Sequence, residues 1–254
     1  TINWHARRRP AKLALQDRTR TLTFSDLARF VQSAAIRLES DGVGRGDRVV
    51  VLADNCIETI ALLHATALTG CILVPANTRY SADELRYLLE DSMPVLVLYG
   101  DAYAGLLAQA VAGLDTTAPG LVGIDAYAES RPDAEIARWR ATKGYEAASY
   151  GSVDGDDVAM LIYTSGTTSR PKGAMLTHAN LLWNSVNYIM ESELRAEHSA
   201  ILVTPLFHIS GFGVMHGPLL HAGGSLYVID RFSPQRVLEA IELFRPTHQF
   251  LVSA

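Results

Sequence analysis

The sequence predicts an α/β fold of predominantly parallel sheets flanked by helices, arranged in two subdomains. Three observations carry that expectation. The hydrophobic period switches repeatedly between two and about 3.6 residues along the chain. Short strand-like runs alternate with single amphipathic segments, the order that builds a parallel sheet with helices over its faces. After a polar interval, the same order resumes beyond residue 157. With 254 residues, 48% of them hydrophobic, the chain is long enough to bury a core of this kind.

Taken in order, the elements are read as follows. From Ser25 onward, Leu27, Phe30, Val31, Ala34, Ala35 and Leu38 share one helical face, and Gly42 is placed to end the helix. DRVVVLA (47–53) reads as a buried strand, and the segment 55–70 as a helix opened by Asn55 and closed by Gly70. CILVPAN (71–77) is strand-like. SADELRYLLED (81–91) is a helix with a capping box, Ser81 followed three residues later by Glu84. PVLVLYG (94–100) is a further strand. Residues 112–156 are rich in Gly, Pro, Asp, Ala and Glu and read as a surface connection holding the short strand LVGID (121–125). Beyond it, 157–166 is a strand, 178–194 a helix, 200–205 a strand, 211–224 helix-compatible, 225–230 a strand and 233–246 a helix with Ser233 and Pro234 at its start. THQFLVSA (247–254) reads as a strand. The domain boundaries follow: a first α/β subdomain over 1–111, the connection over 112–156, and a second, truncated subdomain over 157–254.

Composition excludes several functions. A formal charge of -5 and the lack of a long basic run argue against nucleic acid, because phosphate-backbone binding needs clustered Lys and Arg. HARRRPAK (5–12) is the one dense basic patch and reads as a solvated lead-in segment. Cys56 and Cys71 lack metal-type spacing and read as thiols in a reducing compartment. No apolar run approaches the ~20 residues of a membrane helix, and no signal peptide is recognisable, so a cytoplasmic location and no transmembrane segment are expected.

The densest chemistry lies in YTSGTTSRPKGAMLTH (163–178), which leaves a buried strand and leads into the helix beginning near Thr177. Loops at the carboxyl ends of parallel strands are where α/β folds bind ligands. Gly166 and Gly173 let backbone N–H groups turn toward an anion, while Thr164, Ser165, Thr167, Thr168 and Ser169 bring hydroxyls. Lys172 adds a compact cation suited to phosphate oxygens. A polyphosphate is the expected ligand. The common P-loop is excluded, because both its second glycine and the Ser or Thr after its lysine are missing.

This stretch resembles the phosphate-loop motif of the adenylate-forming (AMP-binding) enzymes, among them acyl-CoA synthetases, luciferases and nonribosomal adenylation domains. The usual form is Thr-Ser-Gly-Thr-Thr-Gly-x-Pro-Lys-Gly. LTFSDL (22–27), GVGRGDRVVVLADN (42–55), LTGCILVPANTRYSADELRYLLEDS (68–92) and PLFHISGFG (205–213) resemble further blocks of the family, so the likeness covers essentially the whole chain. It implies an acyl-CoA synthetase, in which ATP converts a carboxylate to an acyl adenylate with release of pyrophosphate, after which the thiol of coenzyme A displaces AMP. By motif position, Thr164 to Thr168 and Lys172 wrap the β- and γ-phosphates, Ser169 and Gly173 complete the loop, and the Thr164 hydroxyl lies near Mg²⁺. The resemblance also implies that Lys172 and His208 act in catalysis, and that His208 lies beside the substrate carboxylate with Phe207 and Gly211 near the wall of the acyl pocket.

Two departures refine the expectation. Amino-acid-activating relatives carry Phe-Asp-x-Ser where this chain has Phe207-His208-Ile209-Ser210, so the anion that would pair with an ammonium group is replaced by an imidazole. A small-molecule acid without an α-amine, fatty or otherwise acyl, is therefore the expected substrate. His64, His216 and His221 lack companion motifs and read as packed histidines. Ser169 stands where the family usually has glycine; if that position needs positive φ, serine costs on the order of 1 to 2 kcal/mol. The family's adenine- and ribose-binding motifs, its acidic Mg²⁺ ligand, hinge and small C-terminal domain are not found in this sequence. It is accordingly read as an N-terminal portion of a ligase, the alternative being a noncatalytic nucleotide- or acyl-binding module.

Overall fold

Residues 1–128, 135–136, 153–164 and 170–252 are described by a computed structural model. In chain order they form α1 (Ile2–Arg8), β1 (Leu13–Gln16), β2 (Thr21–Thr23), α2 (Phe24–Ser40), β3 (Arg48–Leu52), α3 (Ile57–Thr69), β4 (Ile72–Pro75), α4 (Ala82–Ser92), β5 (Leu96–Tyr99), α5 (Ala104–Val111) and β6 (Gly120–Gly123). The second half continues with β7 (Val158–Thr164), β8 (Lys172–Thr177), α6 (His178–Glu191), β9 (Ser199–Leu202), α7 (Gly217–Ala222), β10 (Ser225–Val228) and α8 (Pro234–Phe244). The predicted α/β class with mostly parallel sheets is what these residues form.

They sort into two units. One comprises Thr1–Arg29, Asp54–Ile57 and Ala179–Ala254; the other comprises Phe30–Ala53 and Glu58–His178. Each unit draws on separated stretches of the chain. The cause is strand pairing over a long separation: β1 runs parallel to β10, with Leu15 opposite Leu226. No local pattern encodes such a partner.

In the unit holding residues 58–178, six strands lie in the order β6-β5-β3-β4-β7-β8. All neighbours are parallel except β7 and β8. Val50, Leu52, Val74 and Val97 from the strands meet Leu85, Leu88 and Leu89 of α4 and Leu107 and Ala110 of α5 in one buried cluster. At about 25 cal/mol per Å² of apolar surface, burial of this kind is the dominant favourable term. The expected capping box opens α4: the Ser81 hydroxyl accepts from the Glu84 N–H, and the Ser81 N–H donates to the Glu84 carboxylate. Gly42 and Gly70, at φ +79° and +74°, follow α2 and α3 as the sequence predicts.

The other unit carries a four-stranded sheet, β2-β1-β10-β9, parallel except for β2 against β1. Ile201, Val203, Tyr227 and Ile229 bury against Val237 and Ala240 of α8. Pro234 begins α8 after Ser233, although the Ser233 side chain makes no capping bond. Three expectations change here. The basic lead-in is helical, with Arg7, Arg8 and Arg9 exposed and Ile2 buried. Within 247–252 only one bridge forms, Ala200 with His248, in place of the expected strand. β1 and β2 were not legible, being four and three residues long. Both cysteines remain thiols, Cys71 buried and Cys56 half-buried. Among the described residues no helix is long and apolar enough to cross a membrane.

Candidate functional site

β7 reaches its carboxyl end at Thr164. Ala159, Met160, Ile162 and Tyr163 are buried along it, and Thr164 alone emerges exposed. The chain then returns as β8, antiparallel, with Thr164 opposite Lys172, Tyr163 opposite Gly173 and Ile162 opposite Ala174. The motif is therefore a β-hairpin, where the sequence reading had a loop running directly into a helix. KGAMLT escapes notice because none of its residues is buried and they lack a clean period of two. Its strand character comes from pairing with β7. The following helix begins at His178, close to the predicted Thr177.

Residues directly opposite in an antiparallel pair have Cα atoms about 4.5 to 5.5 Å apart and side chains on the same face. The Thr164 hydroxyl and the Lys172 ammonium thus leave the loop end of the hairpin side by side, both exposed. Among the described residues, Lys172 makes no ion pair. Gly173 is set by close approach: a Cβ there would lie 3.1 Å from the Tyr163 ring. Ser165, Gly166, Thr167, Thr168 and Ser169 lie outside the described residues.

Helix α4 reaches both arms of the hairpin, which the sequence did not reveal. The Tyr163 hydroxyl donates to Asp91 Oδ2 at 2.6 Å, and the Tyr87 hydroxyl donates to the Pro171 carbonyl at 3.1 Å. The Arg170 guanidinium sits over the Tyr87 ring, 5.4 Å from its centroid. Burial, followed by the Asp91 hydrogen bond, pushes the Tyr163 phenol well above its ordinary pKa, so it keeps its proton and stays a donor.

The second predicted constellation, Phe207, His208 and Gly211, lies in the other unit, on the turn between β9 and a π-helical segment, Gly211–His216. His208 is exposed and Phe207 half-buried, with ring centroids 4.7 Å apart. The turn closes through the His208 N–H to the Pro205 carbonyl and the Gly211 N–H to the His208 carbonyl, at 3.1 and 2.9 Å. Gly211 has no room for a side chain, because a Cβ would stand 2.4 Å from the Pro205 oxygen. Short π-helical turns recur at functional sites.

Asn55 anchors this turn from below. Read in sequence as a helix opener, it is buried, and its amide donates to the Thr204 and Ile229 carbonyls at 3.0 and 3.2 Å while its oxygen accepts from the Leu206 N–H at 2.8 Å. His216 is fully buried, as expected of a packed histidine, and burial depresses its pKa to about 4. A cavity of about 410 Å³ opens at the carboxyl ends of β1 and β10, lined by Thr19, Asn55, Cys56, Asp230 and Arg236 among others; Phe207, His208 and Gly211 are not in its wall.

The AMP-binding enzyme family model matches residues 2–254. The chain is 35% identical to feruloyl-CoA synthase from Amycolatopsis sp over 245 residues, 96% of this chain and 46% of that protein. It is 32% identical to indoleacetate–CoA ligase of Aromatoleum aromaticum over 256 residues, 100% of this chain and 49% of that protein. The crystal structure of ATP-bound MatB from Rhodopseudomonas palustris superimposes with a TM-score of 0.75 at 27% identity, covering 98% of this chain and 48% of that one. The chain spans about half the length of the curated relatives it matches. The family match over nearly every residue, on a fold shared with a solved relative, makes this chain a member of the AMP-binding enzyme family.

Proposed function

We propose that the chain supplies the phosphate-holding and acid-holding parts of an ATP-dependent acyl-CoA synthetase. The observation that carries this reading is the pairing of Thr164 with Lys172 at the loop end of the β7–β8 hairpin, a hydroxyl and a cation presented together at the carboxyl end of a strand. The MatB neighbour is described with ATP bound, and the names of the two relatives denote CoA thioesters of carboxylic acids.

In the first step a carboxylate oxygen attacks the α-phosphorus of ATP and the bond to pyrophosphate breaks; in the second, the thiolate of coenzyme A attacks the acyl carbon and AMP leaves. Negative charge accumulates on the departing pyrophosphate, so positioning and electrostatic stabilisation carry most of the catalysis. Lys172 supplies that stabilisation as a fixed cation, and Thr164 together with Ser165, Gly166, Thr167, Thr168, Ser169 and Gly173 forms the cradle. Mg²⁺ fits this donor set, because a hard cation takes oxygen ligands such as the exposed Thr164 hydroxyl and needs few from the protein when phosphate and water supply the rest. When bound, it neutralises phosphate charge; Thr164 offers a hydroxyl near it. His208, next to Phe207 and ahead of the side-chain-free Gly211, faces the carboxylate of an acid lacking an α-amine.

The test is acid-dependent exchange of labelled pyrophosphate into ATP by the full natural polypeptide that contains these residues, run over fatty, aryl and short-chain acids, with AMP release on adding coenzyme A as the second readout. Exchange with at least one acid supports the ligase reading. ATP binding without exchange for any acid contradicts it and leaves a noncatalytic nucleotide- or acyl-binding module.

A further inference from the structure

We propose that Tyr87, Asp91 and Tyr163 are positioning residues that set the spacing between Thr164 and Lys172, making helix α4 a clamp on the phosphate hairpin. The proposal rests on the reading of that hairpin as a phosphate site.

Tyr87 and Asp91 are four residues apart, so they lie one above the other on one face of α4. Each takes a different arm of the hairpin. Asp91 holds Tyr163, the residue just before Thr164, at 2.6 Å. Tyr87 holds Pro171, the residue just before Lys172, at 3.1 Å. Both tethers therefore attach beside the two groups proposed to meet phosphate.

Among the described residues β8 is the last strand of its sheet and pairs only with β7. An edge strand has no second ladder to fix it, so tethers from a neighbouring helix decide how far Lys172 can drift. The helix is well suited to hold them. Its capping box fixes its start, and Leu85, Leu88 and Leu89 are buried in the core. Gly173 adds to the arrangement by letting the Tyr163 ring pass close beneath β8. Pro171 has no N–H, so its carbonyl is the backbone group through which it is held.

The experiment compares the full natural polypeptide that contains these residues with its Tyr163→Phe, Tyr87→Phe, double, Asp91→Asn and Lys172→Ala variants. Phenylalanine removes the hydroxyl and keeps the ring; asparagine keeps an acceptor for Tyr163 and serves as the conservative variant. Three quantities are read: amide hydrogen exchange at Thr164, Lys172 and Gly173, the Kd for Mg-ATP by calorimetry, and the melting temperature. Each Phe variant is expected to speed exchange at these amides and to weaken ATP by about threefold to tenfold, with the double variant weaker than either. Asp91→Asn is expected to fall between Tyr163→Phe and the unsubstituted chain. A melt that stays within a few degrees while ATP affinity falls separates positioning from general loss of structure.

Unchanged exchange in both Phe variants overturns the clamp. Faster exchange with unchanged ATP affinity also overturns it, provided Lys172→Ala loses affinity. If Lys172→Ala leaves ATP affinity unchanged as well, the phosphate reading itself has failed. Absence of ATP binding by the unsubstituted full polypeptide overturns both.

Discussion

Replacing Asn55 by alanine removes three side-chain hydrogen bonds at one buried point: two donations, to the Thr204 and Ile229 carbonyls, and one acceptance, from the Leu206 N–H. Asn55 is only 6% exposed, so water cannot readily take over these partners. A typical intramolecular hydrogen bond contributes about 0.5 to 1.5 kcal/mol, and a buried group left without a partner costs about 1 to 3 kcal/mol. Partial relaxation of the turn offsets some of this, so a loss of about 2 to 4 kcal/mol is expected for the unit carrying β9 and β10. Every 1.4 kcal/mol is tenfold in an equilibrium, so exchange at the Leu206 amide should rise by about 30-fold or more. Asn55→Asp should cost more than Asn55→Ala, because a buried carboxylate would face two carbonyl oxygens without a donor to offer them. Urea denaturation gives the global loss, and hydrogen exchange at Leu206 gives the local one. A loss below about 0.5 kcal/mol with unchanged exchange at Leu206 would refute the reasoning, since 0.5 kcal/mol is the smallest contribution a single such bond makes.

Further outcomes follow from the same geometry. Gly211→Ala would drive a Cβ to within 2.4 Å of the Pro205 carbonyl oxygen, so it should destabilise by about 1 to 3 kcal/mol and displace His208; wild-type stability in denaturant titration contradicts the packing described. His216, neutral and fully buried, has its folded-state pKa lowered from 6.5 to about 4. Below pH 6.5 the unfolded chain takes up its proton first, so stability should fall as pH drops from 6.5 and the His216 contribution should be fully lost below about pH 4. The total is on the order of 3 kcal/mol. Because His5, His178, His221 and His248 also have lowered values, the difference between the wild type and His216→Phe isolates the effect; parallel pH profiles for the two would sink this prediction. Ser169→Gly restores the family's usual residue and should leave ATP affinity equal or tighter, as a titration of that variant will show.

What could be read from the sequence was what local chemistry encodes. Strands β3, β4, β5, β9 and β10 are short apolar runs, and α2 buries the residues that share one helical face, Leu27, Phe30, Val31, Ala34, Ala35 and Leu38. The phosphate motif was legible because its hydroxyls, glycines and lysine are contiguous. What escaped depends on distant partners. Lys172–Thr177 is a strand through its pairing with β7, none of its own residues being buried. The hairpin's tethers join residues 72 and 84 apart, and the bonds of Asn55 span 149 to 174 residues. Asn55 shows the ambiguity most clearly, since an asparagine before an apolar helix reads as a cap until the carbonyls it meets are known.

The claim that the β7–β8 hairpin holds the phosphates of ATP is tested most directly by titrating Mg-ATP into the full natural polypeptide and following these backbone amides by NMR, with Lys172→Ala as the comparison. The account predicts saturable shifts centred on Thr164, Lys172 and Gly173, and a loss of tenfold or more in affinity on removing the lysine, about the worth of one charge-assisted hydrogen bond. Shifts confined to other parts of the chain, or an unchanged Kd in Lys172→Ala, would contradict it.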